Sequence, residues 1–337
     1  MRSSRPRPLA TAGGALVALV ATFALAACGT TEDPASGSTP DETTDAAASG
    51  PVTYTDERGE HTLDAPATSI VSLEWGLTEN LVAIGADVAG QADVEGYNAW
   101  NTVAPIDSAT PDVGTRGEPS LDAISALEPD LVVTTTDLPE NVIAQIEEIS
   151  PVLTLRGSDG EDPLGYMRST VEALGEVTGR QDDAAAALED FDAKVAEGTA
   201  ALEDAGLDGA EFTMADGWVT NGTVSIRMYT PGSFFGAVGE EIGLTNAWTE
   251  GGDPDYGLAQ TDVEGLTQLG DVQFVYIAND TDGGDPFVDG LEDNAVWEQL
   301  PFVEAGDVHR VPDGIWMFGG PLSGAAYVDA LVDTLTA

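Results

Sequence analysis

The chain has 337 residues, of which 60 are Asp or Glu, 11 are Lys or Arg and 2 are His, for a formal net charge of −49 at neutral pH. Such a surface cannot neutralise phosphate, which excludes nucleic acid as a partner, and two histidines argue against an imidazole-rich transition-metal site. One cysteine leaves no intrachain disulfide, so the fold must stand on a hydrophobic core, which a chain of this length with 42% apolar residues can supply.

Arg2, Arg5 and Arg7 precede an unbroken small and apolar stretch from Leu9 to Ala27. A basic segment, an apolar segment and a small-residue end make a secretory signal. It closes on Leu25-Ala26-Ala27-Cys28-Gly29, which resembles the lipobox of bacterial lipoproteins. That resemblance implies cleavage after residue 27, acylation of Cys28 and a mature chain tethered to the outer face of the cell membrane. Several acyl chains anchor stably where one holds only marginally. The alternatives are an ordinary signal peptide with an incidental cysteine, or a transmembrane helix, which Gly13, Gly14 and the many alanines oppose. Removing residues 1–27 takes three arginines and no acid, so the formal charge falls from −49 to −52. Lys194 is the only lysine. Residues 28–50 hold the lipidated cysteine and a stretch with no aromatic and no large aliphatic residue, expected to be a disordered tether.

From residue 51 short apolar runs alternate with helical patterns. Strands are expected at Ser69–Leu73, Leu131–Thr136 and Val152–Leu155, with helices at Thr78–Ile84 and Glu140–Ile149. Residues 164–202 carry no strand signal; Leu174, Val177, Leu188, Phe191 and Val195 are spaced for helix, with an interruption at Gly179. Further strands fit Phe212–Met214, Ser225–Tyr229 and Phe274–Ala278, and helices fit Phe234–Ile242, Asp293–Leu300 and Ser323–Thr336. The alternation predicts βαβ units and mostly parallel sheets. The expected organisation is an α/β lobe over 51–173, a connecting helix over 174–203 and a second α/β lobe over 204–337.

A weak internal repeat agrees with two related lobes. Ser120–Leu127 precedes the strand at Leu131, and Asp262–Leu269 precedes the strand at Phe274, at a constant offset of 142 residues. Asp122 and Glu264 fall at equivalent positions.

Four stretches then carry a resemblance. They are Ser72-Leu73-Glu74-Trp75 with Glu79–Gly85; Gly114–Asp122 running on to Leu131; Trp297–Gly306; and Val311-Pro312 leading to Ile315–Ser323. The chain resembles the substrate-binding lipoproteins of iron-siderophore ABC importers, and within them the ferric-hydroxamate (ferrichrome) binders. The resemblance implies the class III periplasmic binding protein fold: two Rossmann-like α/β lobes joined by a long helix. It also implies a monomer that carries a preformed Fe(III)-siderophore complex, needs no cofactor of its own, and delivers its cargo to an ABC permease.

In such proteins aromatics and an arginine line a shallow cleft between the lobes. By resemblance, Arg116 matches the arginine that meets hydroxamate oxygens, Trp100 an aromatic wall in the first lobe, and Trp316 with Phe318 a wall in the second. Tyr256 stands where the hydroxamate binder carries a tryptophan. Thr136-Asp137-Leu138-Pro139 stands where it carries a tyrosine. Arg227 is a second cleft candidate. Trp75 fits core or rim, whereas Trp218, Trp248 and Trp297 are assigned structural roles. Asp122 and Glu264, with Glu118 as a substitute for the first, match the acidic residues that dock onto permease arginines; such charges chiefly set orientation and association rate.

The chemistry agrees with this. A ferric hydroxamate encloses its metal, so the protein needs aromatic surface and a donor for the outward oxygens rather than metal ligands. A ferric tricatecholate carries about three negative charges and would call for several cations, which this chain lacks. A haem or cobalamin binder of the same fold is the alternative, with Tyr256 as an axial ligand for haem. An exported enzyme finds no support, since no nucleophile elbow, helical histidine pair or P-loop is present. The acidic loop Asp282-Gly283-Gly284-Asp285 lacks EF-hand spacing and reads as a solvated loop.

Overall fold

The computed structural model describes residues 50–337. Cys28, the leader and the tether up to residue 49 lie outside the described residues. The first lobe opens with an antiparallel hairpin of β1 (Val52–Asp56) and β2 (Gly59–Leu63), which the sequence reading did not place. Then come β3 (Ile70–Ser72), α1 (Trp75–Ala83), β4 (Val88–Gln91), α2 (Val94–Trp100), α3 (Leu121–Leu127), β5 (Leu131–Thr135), α4 (Glu140–Glu147) and β6 (Val152–Leu155). Strands β3 to β6 form one parallel sheet in the order β4-β3-β5-β6. Every residue of β3, β5 and β6 is buried, as expected of a sheet covered on both faces. The chain leaves the carboxyl ends of these three strands at Leu73, Thr136 and Arg156, and ligands of open α/β sheets bind at such ends.

The single connecting helix expected over 174–203 is two helices, α5 (Pro163–Thr178) and α6 (Gln181–Ala205). The cause is Gly179, whose φ of +69° lies in the left-handed region that only glycine enters freely. There Arg180 N donates to Gly175 O at 2.7 Å, closing α5. Residues 174–178 therefore belong to α5, and the connector proper is the 25-residue α6.

The second lobe contains β7 (Glu211–Thr220), β8 (Thr223–Tyr229), α7 (Phe234–Glu241), β9 (Thr245–Asn246), β10 (Leu258–Thr261), β11 (Gln273–Tyr276), α8 (Pro301–Ala305), β12 (Val308–Arg310) and α9 (Pro321–Leu335). Its sheet runs β10-β8-β7-β11-β12, with the short β9 beside β7. The pairs β7–β8 and β8–β10 are antiparallel and the other three parallel, so this sheet is mixed, where the first lobe's is wholly parallel. The reason is the turn Asn221-Gly222, both at positive φ (53° and 79°), which folds β8 directly back on β7. The helix expected over Asp293–Leu300 is a correction too. Only Trp297–Gln299 makes one 3₁₀ turn, and helix begins at Pro301. Proline fixes its own φ for a first helical position and forces the preceding Leu300 into extended backbone (φ −70°, ψ 137°).

One apolar core passes through both lobes and the helices between them. It joins Ile70, Leu131 and Leu153 of the first sheet to Phe191 of α6 and to Phe212, Phe235 and Tyr327 of the second lobe. Phe235 and Tyr327 stack with centroids 3.8 Å apart. Each lobe adds a smaller core of its own on the far side of its sheet.

Candidate functional site

Between the lobes lies a cleft of about 770 Å³, and the six sequence-assigned ligand residues, Trp100, Arg116, Arg227, Tyr256, Trp316 and Phe318, all line it. A run of aromatic rings crosses it. Trp316, on the loop before α9, contacts Trp75 at the start of α1 (4.9 Å between centroids), Trp100 at the end of α2 (6.3 Å) and Phe318 (5.2 Å). Phe318 continues to Tyr256 (5.5 Å) and Tyr229 (6.1 Å). These contacts are edge-on apart from the stacked Tyr229–Phe318 pair, and such geometry favours aromatic packing beyond simple burial. Trp316 is only 5% exposed, and its indole Nε1 has no hydrogen-bond partner.

Arg116 lies across this array. Its guanidinium carbon sits 4.1 Å from the Trp75 centroid and 5.5 Å from that of Trp316. Nη1 donates to Glu74 Oε1 at 3.1 Å. The Glu74 carboxylate also accepts from Trp75 N at 2.9 Å, capping α1, which therefore starts at Trp75 and not at Thr78. Burial pushes the Glu74 carboxyl above the usual carboxylate range, against the pull of Arg116. Opposite, Arg227 on β8 donates through Nε to Asp216 Oδ1 on β7 at 2.9 Å and through Nη2 to Asp216 Oδ2. The two are cross-strand partners, so the sheet register itself places the pair at the cleft.

Side chains also meet across the cleft. Tyr256 donates its hydroxyl to Asp137, just beyond β5. Trp100 Nε1 donates to Asp282 Oδ2 at 2.9 Å. The two positions at which the chain departs from the hydroxamate-binder pattern are thus bonded to each other: a tyrosine where a tryptophan was expected supplies the hydroxyl that Asp137 accepts. Gly157 makes room for this, since a Cβ there would collide with the Tyr256 hydroxyl.

Several cleft residues were not assigned to the site from the sequence, and Trp75, read there as core or rim, proves to belong to it. Trp75 is a cleft wall, 5% exposed, with Nε1 donating to Ala92 O at 3.2 Å. Glu74, Asp137, Arg156 and Asp216 also line the cleft. Glu74, Asp137 and Arg156 had a signal in their position just beyond the carboxyl ends of β3, β5 and β6, whereas Asp216 lies mid-strand in β7 and had none. Trp218 is not a core residue: it is 41% exposed on β7, because the hairpin end runs beyond the sheet's cover. Trp248 and Trp297 are buried as assigned.

Asp122, Glu118 and Glu264 lie outside the cleft and are exposed. Asp122 occupies the first turn of α3, and Glu264 immediately precedes a 3₁₀ turn at Gly265–Gln268. The internal repeat therefore pairs a two-turn helix with a single 3₁₀ turn. Among the described residues no group of three or more His, Cys, Asp or Glu is arranged to hold a metal. No described helix is long and apolar enough to cross a membrane.

A family model described as "Periplasmic binding protein" matches residues 70–314. The iron(3+)-hydroxamate-binding protein FhuD of Escherichia coli strain K12 is 26% identical over 276 residues, covering 78% of this chain and 85% of that protein. The ferric enterobactin-binding periplasmic protein FepB of E. coli O6:H1 is 31% identical over 217 residues, covering 60% and 64%. The crystal structure of the Fe3+-Desferal-bound siderophore-binding protein FhuD from Vibrio cholerae superposes with a TM-score of 0.71 at 26% identity, covering 80% of this chain and 98% of that one. The architecture is the class III arrangement expected from the sequence.

Proposed function

The chain belongs to the periplasmic binding protein family, and on that premise we propose that it binds a ferric siderophore, of hydroxamate type, between its lobes and delivers it to the membrane subunits of an ABC importer. The observation that carries this is Arg116 lying across Trp75 and Trp316 in an aromatic cleft. A ferric hydroxamate presents apolar flanks and oxygens of partial negative charge, and this arrangement offers a ring surface beside a planar donor fork. The related hydroxamate-binding proteins support the same cargo. No protein cofactor is called for, because the siderophore encloses the iron with its own oxygens. The role is carriage, with no bond made or broken in the cargo.

The chain acts as a monomer exported from the cell and held at the outer face of its membrane by lipid on Cys28. Asp122 and Glu264, one exposed on each lobe, dock onto the permease, with Glu118 beside the first. The haem alternative is weaker. The Tyr256 hydroxyl that would serve as axial ligand is held by Asp137, and burial together with that carboxylate pushes its pKa far above the ordinary tyrosine value.

The test is a fluorescence titration of the purified full chain with ferrioxamine, ferrichrome, haem and cobalamin, followed through its tryptophans. Saturable quenching by a ferric hydroxamate, lost in Arg116→Ala, is expected. Quenching by haem or cobalamin alone would overturn the cargo and leave the fold in place.

A further inference from the structure

Among the described residues every cation is already bonded to a carboxylate. The seven arginines and Lys194 each make at least one salt bridge, on a chain with 60 acidic residues. The cleft follows the same rule. Arg116 is bonded to Glu74 and Arg227 to Asp216. Arg156, the third arginine lining the cleft, is bonded to Asp159 and lies 3.6 Å from Glu57. Each guanidinium still has N–H groups to offer, but none brings a net positive charge.

Three further carboxylates line the cleft without a cationic partner. Asp93 accepts from Gly96 N at the start of α2. Asp137 and Asp282, one on each lobe, accept from the neutral donors Tyr256 and Trp100. The walls therefore hold three guanidiniums against five carboxylates. In a partly desolvated cleft such an excess acts on a ligand more strongly than the same charges would in open water.

We propose that this cleft selects its cargo by charge, accepting ferric chelates that are neutral or bear a pendant cation and rejecting anionic ones, with Glu74 and Asp216 as the specificity-determining residues. The proposal rests on the reading of the cleft as a ferric-chelate site and adds to it what distinguishes one chelate from another. Glu74 and Asp216 hold Arg116 and Arg227 in place as donors while cancelling their charge, so an anionic chelate meets no uncompensated cation. Asp137 and Asp282 sit where a pendant ammonium could exchange for the tyrosine and indole donors. Specificity then comes as much from repulsion as from attraction.

The experiment uses three ferric trihydroxamates that share one iron cage and differ only in a pendant group: an ammonium, its acetamide and its succinamate, which carries a carboxylate. A ferric tricatecholate serves as the strongly anionic probe. The full chain should bind the ammonium and acetamide forms at least about tenfold more tightly than the succinamate at low salt, with the gap closing as salt screens it. Glu74→Gln and Asp216→Asn should each narrow the gap several-fold, read as the ratio of acetamide to succinamate affinity within the same variant, so that any general loss of binding cancels. The salt dependence of the unmodified chain tests the idea even if a variant fails to fold. Equal affinity for the three pendants at low salt, or tightest binding of the tricatecholate, would overturn charge selection alone. Binding of none of these chelates would overturn the ferric-chelate reading and this inference with it.

Discussion

Ser323, at the start of α9 in the second lobe, gives both its backbone N–H (2.8 Å) and its hydroxyl (2.6 Å) to the carboxylate of Glu79 on α1 of the first. Gly320 N and Asn101 Nδ2, each at 2.8 Å, complete the set. Glu79 is fully buried, and no cation is among its hydrogen-bond partners. Its charge is met by donors at a helix N-terminus, where the dipole favours an anion. One carboxylate thus ties the lobes together behind the cleft.

Glu79→Ala strips four hydrogen bonds from buried donors of both lobes. Unpaired buried donors cost about 1–3 kcal/mol each and do not add simply, so a loss of about 3 kcal/mol is expected. For a chain of this size that lowers Tm by on the order of 10 °C. Thermal unfolding of the variant beside its parent measures it; an unchanged Tm would remove the clamp from the account.

The pH dependence of stability has a definite sign. Burial raises the carboxyl pKa of Glu74 and of Glu79 above the unfolded value. Between the unfolded and folded values the native state binds more protons, so the contribution of both groups falls as pH rises through that window. Asp130 acts oppositely. Hydrogen bonds from Thr68 and Ser69 hold it low, and its contribution is lost as pH falls through its folded pKa. Denaturant titrations across pH should therefore give greatest stability in mild acid, with a shallower decline toward neutral pH in Glu79→Ala. Stability rising steadily to neutral pH would contradict it.

Arg116→Lys keeps the charge and removes the flat fork that covers Trp75. An ammonium cannot stack on the ring and donate in two directions at once. Ferric hydroxamate affinity should fall about tenfold, corresponding to about 1.4 kcal/mol of lost cation–π and donor contact. Full affinity in the lysine variant would mean that charge alone matters there.

Ligand binding should produce little lobe closure. The lobes share one apolar core, and α6 and the Glu79 clamp both join them. A large hinge rotation would have to break that packing. Small-angle scattering profiles with and without ferric hydroxamate are expected to superimpose; a marked drop in radius of gyration on binding would show a hinge.

Much of the architecture was legible because burial on both faces of a parallel sheet leaves unbroken apolar runs. The strands at residues 70–72, 131–135 and 152–155 fall inside the spans drawn from the sequence. The hairpin at residues 52–63 did not stand out, because its strands alternate with exposed polar residues. The Asn221-Gly222 turn was a local signal that a search for crossover units passed over, and it turned a parallel expectation into a mixed sheet. Gly179 marked the break in the connecting region before it could be seen whether the chain there kinks or stops.

By itself the sequence determined the charge, the two α/β lobes and the signal-like leader before Cys28, features that rest on composition, short-range periodicity and a contiguous motif. The aromatic and arginine positions that line the cleft were expected mainly from the resemblance to siderophore-binding proteins. Only the tertiary structure decided that Glu74 neutralises Arg116, that Asp216 neutralises Arg227, that Asp137 meets Tyr256 and that Glu79 joins the lobes. Among 60 acidic residues nothing local distinguishes these few. What sets them apart is partners 11 to 244 positions away, brought close by the sheet register and by the packing of one lobe on the other.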